Sequence, residues 1–393
     1  MEAYIVDYAR TAFSRSRPKE PERDVFNSIR MDDALAMLIK ELLRRKPIDA
    51  NEIGDVITGC AFQSGENWLY GGRHPVLLAG LPTTVPGVGM DRACSSSMMS
   101  IATGAMEIMT GNSDIVLAGG MEHMTHVPIN DNPFILPSYK LLVRPEYAKY
   151  KMNIGYNMGL TAERLAEESG ITKDSMDEFS LRSHILSSKA QKDGWFKEEI
   201  LPIDVEYNGQ KTTIENDQSI RSDTTLEQIK GLPPAFKQGG VITVGNSSPL
   251  NAGASLVMLM SENGIKKYGF KPLAKIRSMG WAGVDPEVMG KGPVPASKKA
   301  LEKAGLKVDD IDYWEINEAF AVVALYAIKE LGIKPDLVNV HGGAISIGHP
   351  LGASGARLVG TLSRILNDNK KKLGVATLCV GGGQGFSIVL EKT

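Results

Sequence analysis

Little in this sequence supports a disulfide framework, a structural metal or a polyanionic partner. Its three cysteines in 393 residues, Cys60, Cys94 and Cys379, are too few and too scattered for a disulfide scaffold or a zinc site of closely paired ligands. The charges nearly cancel, with 44 Lys and Arg against 46 Asp and Glu for a formal net charge of -2. That balance argues against general attraction to nucleic acid or an anionic membrane, so local basic residues must hold any anion. No apolar run approaches the roughly 18 residues a membrane-spanning helix requires. The opening MEAYIVDYARTAF has no charged leader before an apolar signal core, and the closing IVLEKT carries no Ser-Lys-Leu address, so the expected location is cytoplasmic.

With 42% hydrophobic and 23% charged residues, the composition is that of an ordinary globular protein with length for two or three packed units. Short apolar runs bounded by Gly or Asp predict buried strands: DVITGC (55 to 60), DIVLAGG (114 to 120), DYWEIN (312 to 317) and GVATLCVGGG (374 to 383). Apolar residues at three- and four-residue steps predict helices over Met31 to Arg45, Met98 to Thr110, Ala296 to Ala304, Ala319 to Leu331 and Ala353 to Leu366. Such alternation argues for α/β layers. NEIGDVITG (51 to 59) and DDIDYWEIN (309 to 317) both follow a helix and open a strand, and the same offset sets the Cys94 segment beside the His349 segment. The chain therefore reads as a duplicated unit. The stretch 121 to 248 differs, with more Met, Asn, Pro and charge and helical patterns at Ala162 to Glu168 and Lys173 to Lys192, as an insertion would.

Four strings carry chemistry. In DRACSSSMMSIATGAMEIMTG (91 to 111), Cys94 stands at a helix start, where unpaired N–H groups and the helix dipole lower a thiol's pKa, and Ser95, Ser96 and Ser97 can cap those donors. A lone cysteine there is ordinarily a small buried apolar residue, so its promotion rests on the other strings. GGAISIGHPLGASGAR (342 to 357) holds His349 in a glycine-dense turn before a second helix, a backbone suited to aiming one side chain into a crevice. TLCVGGGQG (377 to 385) ends a strand on Cys379, with glycine amides available to an oxyanion. EINEAF (315 to 320) ends a strand at Asn317 and opens a helix at Glu318, which by itself makes Asn317 an N-cap. His123 and His126 lack a third ligand nearby, Cys60 reads as packing, and LLRRK (42 to 46) as a solvated helix end.

From ARTAF (9 to 13) to the last strand, these strings together resemble the thiolase family. The resemblance implies an α/β thiolase fold: two similar halves in a five-layered α-β-α-β-α core, with residues 1–120 and 249–270 in the first half, a CoA-binding loop domain at 121–248 inserted in it, and 271–393 in the second. It further implies that Cys94 takes the acyl group, His349 accepts its proton and Cys379 is the second acid/base. Asn317 would hold a water, and the amides of Cys94 and Gly381 an oxyanion. Arg221, Phe236, Ser248, Met158 and Phe320 become candidate CoA and substrate contacts. No metal or redox cofactor is implied, because CoA and its thioesters are substrates. Implied partners are further copies of the chain, as a homodimer or homotetramer, and other β-oxidation or ketoacyl-supplying enzymes.

Ser222 stands where the family usually has Pro, Ala252 where many members have Asp, Met99 where Gln or Lys is usual, and Asn157 where biosynthetic members carry His. CSSSMM, AGGMEHMTHVP (118 to 128) and VMGKGPVPA (288 to 296) approach the degradative pattern, so the expected activity is 3-ketoacyl-CoA thiolysis. The alternatives are biosynthetic condensation of two acetyl-CoA and a non-catalytic lipid-binding or scaffold subunit. Presence of Cys94, His349 and Cys379 argues against the last, and Cys379 against a ketoacyl synthase or hydroxymethylglutaryl-CoA synthase.

Overall fold

The duplicated strings become mirrored strands. The computed structural model describes residues 1–393 except 68, 69, 130, 131 and 134. Among the described residues the main sheet has 11 strands, nine of them along its path: β1 (Tyr4–Thr11), β2 (Asp55–Gly59), β3 (Gly87–Met90), β4 (Ile115–His123), β5 (Asn251–Met260), β6 (Ala274–Gly283), β7 (Tyr313–Ile316), β8 (Leu373–Val380) and β9 (Gln384–Lys392). Their spatial order is β7-β8-β9-β6-β1-β5-β4-β2-β3, with Ser14–Arg15 added to β5 and Ile200–Leu201 to β1. Order and direction mirror about β1 and β6, which join only through Tyr4↔Lys275 and Ile5↔Ala274. On one side β4 runs parallel to β2 and antiparallel to β5; on the other β8 runs parallel to β7 and antiparallel to β9.

The helices fall where the three- and four-residue periodicity places them. Helix α1 (Met31–Arg45) covers the outer face of the first half, while α5 (Pro293–Ala304) and α6 (Ala321–Leu331) cover that of the second. Between the halves lie α2 (Ser96–Thr110) and α7 (Leu351–Asp368). A central apolar cluster joins Ile57 and Val257 of one half to Ala376 and Ile388 of the other through Met98, Ile101, Leu358 and Leu362. Helix, the first half of the sheet, helix pair, the second half of the sheet and helix make the five layers. Each Leu or Ile fully buried there contributes roughly 1.5–3 kcal/mol. The stretch between β4 and β5 supplies α3 (Met158–Ser169) and α4 (Lys173–Lys192), whose Leu165, Met176 and Phe179 join the apolar cluster of the second half.

The ARTAF string serves the frame. Arg10 is fully buried; its Nε donates to Glu199 at 2.7 Å and its Nη atoms form a two-pronged pair with Asp217 at 2.7 and 2.9 Å. Glu199 also accepts from Arg364 of α7 at 3.2 Å, so β1, the stretch between β4 and β5, and α7 meet at one charge cluster. Removing one member of a buried ion pair leaves an uncompensated charge. Arg10→Met is therefore expected to lower unfolding stability by about 3–5 kcal/mol. A urea-midpoint shift equivalent to under about 1 kcal/mol would show that the cluster contributes little.

Candidate active site

Cys94 and His349 each stand two residues before the first turn of a central helix. The two helix starts touch closely: a Cβ on Gly355 of α7 would lie 2.4 Å from Met98 N of α2, and one on Gly120 of β4 would lie 2.3 Å from Gly352 O of α7. Ala356 N donates to Ser97 Oγ at 2.9 Å across the same seam. Gly348 is held at φ +121, where a side chain would also strike Asn251, and this turn delivers His349 inward. His349 N donates to Asn251 Oδ1 at 2.8 Å, and its Nδ1 lies 2.6 Å from Ser354 Oγ one turn into α7.

The remaining members close around this pair. Asn317 follows β7 and places Nδ2 3.4 Å from both ring nitrogens of His349, while its buried Oδ1 has no hydrogen-bond partner among the described residues. Cys379 is buried on β8, close enough to Cys94 to feel its charge. The backbone N–H of Gly381 lies on the Cys94 side of the site, where it favours the thiolate form of that sulfur.

Electrostatics departs from the sequence expectation. Burial pushes the Cys94 thiol up to about 11, outweighing the N–H bonds that favour thiolate, and raises Cys379 further still. His349 is pulled down to about 3 by burial, then by the Arg357 charge. The resting site thus holds a neutral thiol beside a neutral imidazole. The helix start does not lower the Cys94 pKa below its ordinary value, because desolvation is the larger effect.

Other expectations also change. None of Ser95, Ser96 and Ser97 caps the helix: Ser95 and Ser96 hydroxyls donate to the Arg92 and Ala93 carbonyls, and Ser97 faces α7. Asn317 is not an N-cap, since the helix begins at Ala321 with Phe320 at its cap. Glu318 instead turns inward, accepting from Ser183 at 2.7 Å, Asn339 at 2.7 Å and Ile345 N at 3.2 Å, which pins the loop leading to His349. His123 and His126 stack on each other at 3.6 Å, and His126 Nδ1 lies 2.8 Å from Glu66. No group of three or more His, Cys, Asp or Glu among the described residues is arranged to hold a metal ion.

Of the candidate substrate contacts, Met158, Phe236 and Phe320 form one wall. The Phe236 ring meets Phe320 edge-on at 6.0 Å and covers Gly159, while Met158 Sδ approaches Gly381. Arg221 lines a separate cavity of about 360 Å³ with Arg15, His184, Ser219 and Ser247. Ser248 donates both its N–H and its hydroxyl to the Ala319 carbonyl, at 2.9 and 3.1 Å, and its neighbour Ser247 faces the cavity.

Residues 3–263 match the family model described as thiolase, N-terminal domain, and residues 270–392 that of the thiolase C-terminal domain. The chain belongs to the thiolase family. It is 44% identical to proteins named 3-ketoacyl-CoA thiolase from Marinobacter nauticus and Saccharophagus degradans, in each case over 99% of this chain and 97% of the relative. The crystal structure of the Bacillus anthracis acetyl-CoA acetyltransferase superposes with a TM-score of 0.88 at 35% identity, covering 100% of this chain and 99% of that one.

Several supports of this thiolase site escape a reading of the motifs alone. Ser354 lies inside the His349 string, and its one-turn spacing is the only local clue to its bond. Asn251 and Glu122 reach the site from strands far off in sequence; buried Glu122 gathers the N–H groups of Ala61, Phe62 and Gly352 at 2.9, 3.2 and 3.0 Å. Cys60, expected to pack, also points its sulfur at Glu122 at 3.5 Å.

Because alkylation requires thiolate, the rate of Cys94 carboxamidomethylation is expected to rise about tenfold per pH unit from about pH 6 to 9. The raised Cys94 pKa leaves no plateau in that window. A plateau near neutrality, measured by peptide mass, would mean a preformed thiolate.

Proposed function

We propose that this thiolase cleaves 3-ketoacyl-CoA with CoA, releasing acetyl-CoA and an acyl-CoA two carbons shorter, through an acyl-Cys94 intermediate. The observation carrying this reading is the seam that joins the helix start after Cys94 to the one after His349, with Ala356 N on Ser97 Oγ at 2.9 Å, while the His349 ring is held between Ser354 Oγ at 2.6 Å and Asn317 Nδ2 at 3.4 Å. His349, whose Nδ1 is engaged by Ser354, takes the thiol proton on Nε2 as the sulfur attacks the keto carbon. The alkoxide that forms lies against the amides of Cys94 and Gly381. Collapse breaks the bond between C2 and C3 and leaves the thioester enolate. Its oxygen is met by His349 and by a water on Asn317 Oδ1, and the Cys379 thiol protonates C2 to give acetyl-CoA.

In the second half-reaction the incoming CoA thiol gives its proton to the Cys379 thiolate and attacks the acyl group. Cys94 leaves as thiolate and recovers its proton from His349, so both protons are restored after one cycle. Met158, Phe236 and Phe320 wall the acyl side, and Arg221 serves the nucleotide end. The degradative direction and a place in fatty-acid breakdown are favoured by the names of the relatives at 44% identity. Condensation of two acetyl-CoA is the same chemistry reversed, and the likeness to the Bacillus anthracis acetyltransferase supports it as a second activity.

Two measurements test this reading. Thiolysis rates against 3-ketoacyl-CoA of increasing length are expected to extend well beyond the four-carbon substrate; activity confined to acetoacetyl-CoA would favour the biosynthetic assignment. Cys379→Ser is expected to accept acetyl from acetyl-CoA on Cys94 yet lose cleavage and condensation by about 100-fold or more, the scale of a lost general acid. Turnover retained within about tenfold would remove Cys379 from the proton path.

A further inference from the structure

The cavity beside the inserted helices brings together two arginines from distant segments. Arg15 comes from the short strand Ser14–Arg15, which pairs with Ala252 and Asn251 of β5. Arg221 comes from the loop before the helix Leu226–Lys230. Side chains of a strand alternate, and here Ser14 and Ser16 are buried while Arg15 and Arg17 are half-buried on the other side. Among the described residues neither Arg15, Arg17 nor Arg221 has an ion-pair partner, whereas nearby Arg23 is bound to Glu20 at 2.7 Å.

The cavity's one carboxylate is Asp223, outnumbered by the two guanidinium groups that line it, and Ser219, Thr224 and Ser247 add hydroxyls. His184 adds no charge: burial, then Arg221, brings it down to about 4, and its Nδ1 accepts from Arg221 N at 3.2 Å. Burial, then the charges of Arg17, Arg221 and Arg23, holds Arg15 below the ordinary arginine range. Like charges left unpaired in a partly dry cavity cost free energy that a bound anion recovers. Planar guanidinium groups with neighbouring hydroxyls match phosphate oxygens.

We propose that Arg15, opposite Arg221, is a phosphate-recognition residue for the nucleotide end of CoA, so that this cavity discriminates CoA from unphosphorylated pantetheine thiols. The inference rests on the thiolase reading above and adds to it a specificity residue outside the acyl-transfer machinery.

In ping-pong kinetics, kcat/KM for the thiol acceptor reports the second half-reaction alone. It is measured on the full-length enzyme with CoA, 3′-dephospho-CoA and pantetheine as acceptors. For Arg15→Gln the ratio of kcat/KM for CoA to that for pantetheine is expected to fall by about tenfold or more, the scale of a lost charge-assisted hydrogen bond, with partial rescue in Arg15→Lys. If the loss disappears with 3′-dephospho-CoA, Arg15 meets the 3′-phosphate; if it persists, Arg15 meets the diphosphate. A ratio within about twofold of wild type, in a variant whose thermal unfolding matches wild type, overturns the assignment of Arg15. Absence of thiolysis by wild-type enzyme with CoA would instead overturn the thiolase reading.

Discussion

The close contact between the first turns of the two central helices is the constraint on which the site depends. A side chain larger than hydrogen at Gly355 would force the helix seam apart, and one at Gly120 of β4 would push α7 off the sheet, since their Cβ atoms would fall well inside van der Waals contact with backbone. Because the seam is backbone against backbone, the residues just before each helix are drawn into one small volume. Cys94 arrives from the first half and His349 from the second, and first-half side chains support the His349 loop: Asn251 of β5 holds His349 N, and Glu122 of β4 holds Gly352 N. The first half thus completes the loop that the second half contributes.

Burial then sets the chemistry. The same exclusion of water that raises Cys94 and Cys379 lowers His349, so the three groups rest uncharged. A neutral site suits a reaction in which charge appears on sulfur, then on an alkoxide, then on an enolate, and vanishes again. Fixed donors aimed where charge develops act most strongly in such dry surroundings. In the proposed reaction the Gly381 and Cys94 amides, the imidazole and a water on Asn317 would supply these donors.

The helices and strands were legible because their signals are local. Met31–Arg45 and Lys173–Lys192 begin and end where periodicity places them, and the mirrored strands begin in the two similar strings. The turn that carries His349 was legible because glycines packed before a helix betray an unusual backbone, and Gly348 is indeed held at φ +121. What sequence could not convey was dielectric and distance. The direction of the Cys94 shift follows from the buried surroundings of a side chain that is itself only partly covered, which no string encodes. Its own string makes Asn317 a cap, because the residue it meets, His349, lies 32 residues on. Arg10 and Arg15 both belong to the N-terminal segment, yet one is locked in an ion-pair cluster and the other left unpaired, a difference set by Asp217 and Glu199 more than 180 residues away.

The central claim is that Cys94 carries the acyl chain. The most direct measurement mixes enzyme with 3-ketooctanoyl-CoA in the absence of free CoA, counts acetyl-CoA released and maps the modified peptide by mass. The account predicts one acetyl-CoA per subunit and a hexanoyl thioester on the peptide containing Cys94, discharged on adding CoA. Acyl label on Cys379 or Cys60, or no release of acetyl-CoA until free CoA is added, would contradict it.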